Sequence, residues 1–170
     1  FDGDFDDDFD GDFDDDFALV AVDMDNNTKT TYDLGLGEEA VVDCAEEVVY
    51  VLETGATGRL SAWKSDSLDT QTPEWVETYG ATHDPKRLLA ISNDEVWVLF
   101  ENSNEIIIYD EDGDEVETID LTTYMSGTDN DGLVEVVGLE FDDEHDWVFA
   151  ACQRVDSGSG VPTGSVIVPI

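Results

Sequence analysis

The stretch DEVWVLFE, residues 94–101, is an acidic pair followed by a run of apolar residues, and the chain repeats this form. It recurs as EEVVYVLE at 46–53 and as HDWVFAAC at 145–152, so the runs begin roughly 48 and 51 residues apart. A pattern that returns at intervals of about 50 residues is typical of a repeat architecture. The three runs therefore predict equivalent strands in successive structural units.

A second kind of apolar run lies between these stretches and often ends in Asp or a polar turn. Its copies are ALVAVD (18–23), GRLSAWK (58–64), EIIIYD (105–110) and GSVIVPI (164–170). Both kinds are apolar at consecutive positions, which indicates strands that are covered on both faces. The short links between them, such as TGAT and NSN, favour hairpins over crossover helices.

One segment also fits a helix. In EEAVVDCAEEVVYVLE (38–53), apolar residues at 41, 45, 48, 49 and 52 would share one helical face. Two strands remain the better interpretation because β-branched residues dominate and because the later copies have the same form of turn and apolar run.

Short antiparallel strands in units of about 40 to 50 residues, each covered on both faces, predict an all-β fold of β-propeller-like antiparallel blades. At about 40 to 45 residues per blade, residues 18–170 supply three to four blades, an incomplete propeller. The expected domains are an acidic arm at 1–17 and the blades at 18–170.

The stretch HDPKRLLAISNDEVWVLFENSNEIIIYDEDGDEVETIDL (83–121), followed by DGLVEVVGLEFDDEHDWVFAACQRVD (131–156), resembles the surface-layer or YVTN-type β-propeller proteins. The resemblance covers roughly residues 18–170 and is strongest from residue 83 onward. It implies an exported, cell-surface or periplasmic protein, often lipid-anchored upstream. Because the blades are too few to close, it also implies a protein partner or further copies that complete the propeller.

The charge is extreme: 44 acidic residues against 6 basic ones give a formal net charge of -38. A field of this sign repels phosphate backbones and anionic lipids, so nucleic acid is not an expected partner. The sequence also has no apolar run long enough to span a bilayer. Cations and basic proteins are the favoured partners, and the surface is like that of salt-adapted proteins; a nucleic-acid mimic is a weaker alternative.

The arm FDGDFDDDFDGDFDDDF (1–17) places a Phe at every fourth position among Asp residues. In an extended chain the five Phe share one side, which predicts partner binding by Phe1, Phe5, Phe9, Phe13 and Phe17. An ordered tract this acidic requires cations or a basic surface, and hard carboxylate oxygens favour Ca²⁺. The predicted metal ligands in the arm are Asp2, Asp4, Asp6, Asp8, Asp10, Asp12, Asp14 and Asp16.

Three acidic loops in the body could also bind metal. In DEDGDE (110–115) and DMDNNT (23–28) a hairpin turn is the better interpretation, because Asp-Gly favours hairpins and an EF-hand spacing is missing. TDNDG (128–132) sits in a longer connection near Glu135, so Asp129 and Asp131 are further candidate Ca²⁺ ligands.

No catalytic residue is predicted. The two histidines, His83 and His145, occur without a GxSxG or HExxH motif and are expected to shape turns. Cys44 and Cys152 are expected to be buried thiols. The leading hypothesis is an exported acidic propeller module, a structural or protein-interaction subunit whose arm docks through Phe and binds either Ca²⁺ or a basic partner. The alternative is a propeller enzyme, lactonase- or lyase-like, with a metal or carboxylate site on the axis.

Overall fold

The computed structural model describes residues 17–37, 39–55, 57–124, 132–156 and 161–170. These residues form strands and two single 3-10 turns, which confirms the all-β prediction, and residues 40–53 form two strands rather than a helix. The strands are β1 (Phe17–Asp23), β2 (Thr28–Leu36), β3 (Ala40–Ala45), β4 (Val48–Glu53), β5 (Arg59–Lys64), β6 (Trp75–Thr78), β7 (Pro85–Ser92), β8 (Glu95–Phe100), β9 (Glu105–Tyr109), β10 (Glu115–Asp120), β11 (Glu135–Asp142), β12 (Trp147–Asp156) and β13 (Val161–Pro169).

The strands pair antiparallel in chain order into four sheets within the described residues. Sheet A is β1–β2, sheet B is β3–β4–β5–β6, sheet C is β7–β8–β9–β10 and sheet D is β11–β12–β13. The three repeated runs form β4, β8 and β12, and each is the second strand of its sheet with a neighbour on both sides. The equivalence that the sequence predicts for them is therefore confirmed.

The sheets stack face to face, with one apolar cluster at each junction. Leu34 of sheet A packs with Val51 and Trp63 of sheet B. A second cluster joins sheets B and C, and a third joins sheets C and D. The first strands of neighbouring sheets also contact each other, β3 with β7 and β7 with β11. This succession of meandering sheets, joined face to face and closest at their first strands, is a β-propeller-like arrangement.

Polar contacts tie sheet B to sheet C. The carboxylate of Asp43 in β3 accepts a hydrogen bond from the backbone N–H of Ala90 in β7, with 3.0 Å between Oδ2 and N. Asn93, in the β7–β8 turn, accepts one from the N–H of Glu47 at 3.1 Å and donates one to the carboxylate of Glu46 at 2.8 Å. The Ala90 contact is possible because β7 is an edge strand, so the N–H of Ala90 is available to a group outside sheet C.

Aspartates build the hairpin turns between β9 and β10 and between β1 and β2. Oδ1 of Asp110 accepts the N–H groups of Asp112 and Asp114 at 3.0 and 2.9 Å. Oδ1 of Asp23 accepts those of Asp25 and Asn26 at 2.9 and 3.3 Å. An aspartate that bonds its own following backbone favours a turn. DEDGDE and DMDNNT are therefore hairpin turns, as the sequence predicts.

The predicted burial of both cysteines is half right. Cys152 is buried in the junction of sheets C and D, whereas Cys44 is exposed, and neither forms a disulfide. Cys44 lies on β3, on the side of sheet B that faces sheet A, and the described part of sheet A has only two strands. Those strands leave Cys44 uncovered.

Among the described residues, a search for helices of sufficient length and apolar character to span a bilayer finds none.

Candidate functional site

Most of the predicted site residues lie outside the part of the chain that the structure describes. This holds for Asp2, Asp4, Asp6, Asp8, Asp10, Asp12, Asp14 and Asp16, for Phe1, Phe5, Phe9 and Phe13, and for Asp129 and Asp131. Phe17 begins β1, and its backbone pairs with Leu36 of β2. The arm as a partner-binding and Ca²⁺-binding element therefore stays a prediction.

Both histidines take part in turns. His145 contacts its own hairpin through Nδ1, which lies 2.8 Å from Oδ2 of Asp142. The backbone N–H of His83 donates to the carbonyl of Gly80 at 2.9 Å, and its ring meets the ring of Phe100 edge-on at 5.3 Å. Within the described ranges, no group of three or more His, Cys, Asp or Glu side chains is arranged to hold a metal ion.

A pocket of about 320 Å³ opens between sheets B and C at the end that carries the β3–β4, β7–β8 and β9–β10 turns. Its apolar wall contains Tyr50 and Trp75, whose ring centroids are 6.1 Å apart. Lys64 is its basic residue, and its carboxylates are Glu47, Glu74, Asp94, Glu111 and Asp112. A hydrogen bond with Asp94, together with the negative charge of that carboxylate, raises the pKa of Glu111.

The hydroxyl of Tyr50 reaches across the same junction. It donates to the carbonyl of Asn93 with 2.9 Å between the oxygens. Burial, and secondarily the negative charge of Asp94, raises the pKa of Tyr50 to about 12. Burial likewise raises the pKa of Tyr109 to about 12. These tyrosines are protonated at neutral pH, so Tyr50 serves as a structural hydrogen-bond donor between the sheets.

The second feature of functional interest is the outer face of sheet D, which becomes clear from the strand register. In sheets B and C, the third residue of the second strand points toward the sheet that follows in the chain. This residue is Tyr50 in β4 and Trp97 in β8. Both are buried, Tyr50 against sheet C and Trp97 against sheet D. The corresponding residue of β12 is Phe149, and its side of sheet D has no described sheet beyond it.

The third strands of sheets B, C and D also share an equivalent position, and the exposure of its side chain differs strongly between the sheets. Leu60 pairs with Leu52, Ile106 with Leu99, and Ile167 with Ala151, so the three residues occupy one position in successive sheets. Leu60 and Ile106 are each 0% exposed, whereas Ile167 is 69% exposed. An apolar residue that is wholly buried in two sheets is therefore open to solvent in the third.

We define the trailing face as the outer side of sheet D that carries Trp147, Phe149, Ala151 and Ile167. Trp147 is 52% exposed, and its ring lies edge-on to that of Phe149 with 6.0 Å between centroids. The aromatic pair and Ile167 form an apolar area that Glu140 and Asp142 border, because these two acids pair with Phe149 and Trp147 across β11 and β12 and so share the face. Contiguous exposed apolar surface of this kind marks interaction sites in soluble proteins.

The opposite end of the stack has a matching leading face, defined by Val20, Val22 and Lys29 on the side of sheet A away from sheet B. Leu19 and Tyr32 point toward sheet B, and the alternation of the strands turns Val20 and Val22 outward. They are 50% and 42% exposed. Lys29 pairs with Val22 across the hairpin and so shares this face.

The sequence predicted Phe in the arm as the partner-binding group and did not single out Trp147, Phe149 or Ile167. The signal that could have found them is present in HDWVFAAC. Its consecutive apolar residues point to both faces of a strand, so both faces of that strand require cover. The register was missing: without it, the outer residues of the last run could not be told from the inner ones.

Comparisons with known proteins give no family: no family model matches, and no curated protein is a significant match. Among solved structures, the chain is similar to the dihydro-heme d1 dehydrogenase NirN in complex with DHE, at 8% identity and a TM-score of 0.45, over 89% of this chain and 34% of that one. A 6-phosphogluconolactonase candidate from Bacteroides uniformis aligns at 14% identity and 0.44, over 87% and 50%.

The WD40 β-propeller domain of Doa1 aligns at 10% identity with a TM-score of 0.37, over 86% of this chain and 67% of that one. The chain thus spans about a third of the NirN chain and half of the Bacteroides uniformis chain. At identities and scores this low, neither a family nor an activity transfers to this chain.

Proposed function

We propose that this chain is an exported, acidic β-propeller module that acts as a structural or protein-interaction subunit. The observation that carries the proposal is the trailing face, where Ile167 is exposed at a position that sheets B and C bury and where Trp147 is half exposed on the same side. Export is proposed from the resemblance of residues 83–156 to surface-layer propellers.

The chemistry of the trailing face favours a protein as the partner. A sheet face offers a broad apolar surface, which suits another sheet or helix, whereas small molecules prefer concave sites. Trp is among the residues that contribute most when buried at an interface. The net charge of -38 disfavours nucleic acid and anionic lipid surfaces.

The acidic arm adds a proposed role for Ca²⁺. Its ten Asp residues in seventeen positions, read from the sequence, repel one another unless cations neutralise them. Ca²⁺ binds six to eight oxygen ligands, mostly from carboxylates and carbonyls. We therefore propose that Ca²⁺ orders the arm and that its Phe residues then contact the body or a neighbouring subunit.

A propeller enzyme of lactonase or lyase type is the second candidate, and the acidic pocket between sheets B and C favours it. There Asp94 and Glu111 line the pocket together with Trp75, and the Asp94 side chain raises the pKa of Glu111, so Glu111 keeps its proton to a higher pH than an ordinary glutamate does. Hydrolysis of a panel of lactones that is lost in Asp94→Asn and Glu111→Gln would support it; activity that survives both changes would remove this pocket as its site.

Assembly in the producing organism tests the proposed module. Native extracts are separated by size. A variant with both Trp147→Asp and Ile167→Asp should migrate at a smaller size than the wild-type protein, because it no longer joins the assembly. Val116→Asp is the matched control, because Val116 is a similarly exposed apolar residue at a bulge on the outer strand β10. If all three proteins migrate at the same size, the trailing face has no role in assembly and the proposal is wrong.

A further inference from the structure

The two open faces occupy opposite sides of the same repeating contact. Aligned on the turn aspartates Asp23 and Asp110, β1 corresponds to β9, so that Val20 corresponds to Ile107 and Val22 to Tyr109. Ile107 and Tyr109 are buried against sheet B. Val20 and Val22 therefore stand where sheet C presents the residues that cover sheet B.

The junction of sheets B and C shows what covers a trailing face. Leu60, on the third strand of sheet B, and Ile107, on the third strand of sheet C, belong to one buried apolar cluster. Their counterparts are Ile167, 69% exposed, and Val20, 50% exposed. The chain thus carries both halves of a contact that it already makes internally, and each half is open.

We infer that the trailing face of one copy of this chain packs against the leading face of a second copy, continuing the stack of sheets from molecule to molecule. The inference rests on the proposed function, and it names the partner. The inference is supported by the contact between sheets B and C, where Leu60 and Ile107 occupy the positions of Ile167 and Val20 and are also aliphatic.

The contact is head-to-tail, because a trailing face meets a leading face rather than its own copy. Such an interface repeats until the rotation closes a ring, or it continues as a filament. Each copy adds sheets A to D in the same order. The second copy therefore extends the arrangement already present and needs no rearrangement of the described strands.

Electrostatics makes the association dependent on salt. Two chains of net charge -38 repel each other, and screening shortens the range of that repulsion. Lys29 reduces the negative potential of the leading face itself, and it is in none of the ion pairs found among the described residues. Self-association should strengthen as salt is added, since the apolar contact persists while the repulsion weakens.

Cysteine cross-linking of the purified full chain tests the inference. Both variants, Val20→Cys and Ile167→Cys, carry Cys44→Ser, which removes the exposed native thiol. Each variant is oxidised at high salt by itself, and a mixture of the two is oxidised under the same conditions. A dimer linked between the two variants should form on mixing and not with either variant alone. Val116→Cys mixed with Val20→Cys is the control for random collision.

Sedimentation of the otherwise unmodified chain gives the second readout. The wild type and Val116→Asp should associate at high salt, while Ile167→Asp should remain monomeric. Cross-linking of Ile167→Cys with itself, or a wild type that stays monomeric at every salt concentration, would overturn the head-to-tail contact. If the purified chain stays monomeric while its native assembly still depends on Trp147 and Ile167, the proposed function stands and the second copy is excluded as the partner.

Discussion

Asp43 and Ala90 join the first strands of two neighbouring sheets through a single hydrogen bond, 3.0 Å from carboxylate oxygen to backbone nitrogen. The other oxygen of Asp43 accepts the N–H of Cys44 at 2.9 Å. A side chain that satisfies the edge of a neighbouring strand should stabilise the stack of sheets. Asp43→Ala should lower the free energy of unfolding by about 1 to 3 kcal/mol, measured in urea.

Asp69→Ala is the control for that substitution. Asp69 is an exposed acid on a 3-10 turn, so its removal relieves the same unit of charge without opening a contact between sheets. Because self-repulsion in this chain is large, the control should be neutral or slightly stabilising. Equal stability of the two variants would show that the Asp43 contact contributes nothing.

Gly113 and Gly55 offer a matched pair for the contact between sheets B and C. Both have positive φ, +81° and +97°, so Ala is strained at either position. A Cβ at Gly113 would lie 2.7 Å from the ring of Trp75, whereas a Cβ at Gly55 meets nothing within 4 Å. Gly113→Ala should therefore be the more destabilising by about 1 to 3 kcal/mol in urea unfolding; equal losses would mean that Trp75 is not held against this turn.

Alkaline pH should weaken the junction of sheets B and C. Burial raises the pKa of Tyr50 from its ordinary value of 10.0 to about 12, so between these values the folded state retains a proton that the unfolded state loses. This contribution to stability is complete below about pH 10 and is lost as pH rises toward 12. A fully shifted tyrosine contributes a slope of about 1.4 kcal/mol per pH unit.

Tyr50→Phe tests that assignment. The variant should lose about 1 kcal/mol at neutral pH, because the hydrogen bond to the carbonyl of Asn93 is gone, and its unfolding free energy should fall less steeply above pH 10. Thermal or urea unfolding across the alkaline range measures both effects. An unchanged slope would mean that Tyr50 ionises as freely in the folded state as in the unfolded one.

Sequence patterns predicted the strands of this chain better than they predicted its exposed surface. The three runs at 46–53, 94–101 and 145–152 became second strands because β-branched and aromatic residues covered on both faces suit only the interior of a sheet. The turns at Asp23 and Asp110 followed from local chemistry, which the sequence contains in full.

The contacts between sheets could not be predicted in this way. Nothing local distinguishes Ile167 from Ile106, since both follow the same rules of strand composition, and only the register and the number of neighbouring sheets expose one and bury the other. The exposure of Cys44 has the same origin. Burial depends on what lies on the far side of a sheet, which a repeat pattern does not specify.

The arm provides a prediction that depends on the sequence alone. Replacing Phe5, Phe9 and Phe13 with Ser should release residues 1–16 to protease while the body keeps its unfolding midpoint. Each fully buried Phe contributes roughly 1.5 to 3 kcal/mol to such a contact. Removal of Ca²⁺ by a chelator should have the same effect; an arm equally protected after both treatments would point to a basic partner surface instead.

Oxidative footprinting of the tryptophans in the dilute, monomeric chain tests the open trailing face most directly. Trp63 and Trp97 are 4% and 6% exposed, and Trp147 is 52% exposed. The account predicts that Trp147 reacts fastest of the three, that Trp63 and Trp97 remain protected, and that Trp147 becomes protected when copies associate. A Trp147 as unreactive as Trp97 in the isolated monomer would show that the trailing face is already covered, and would contradict its role as an interaction surface.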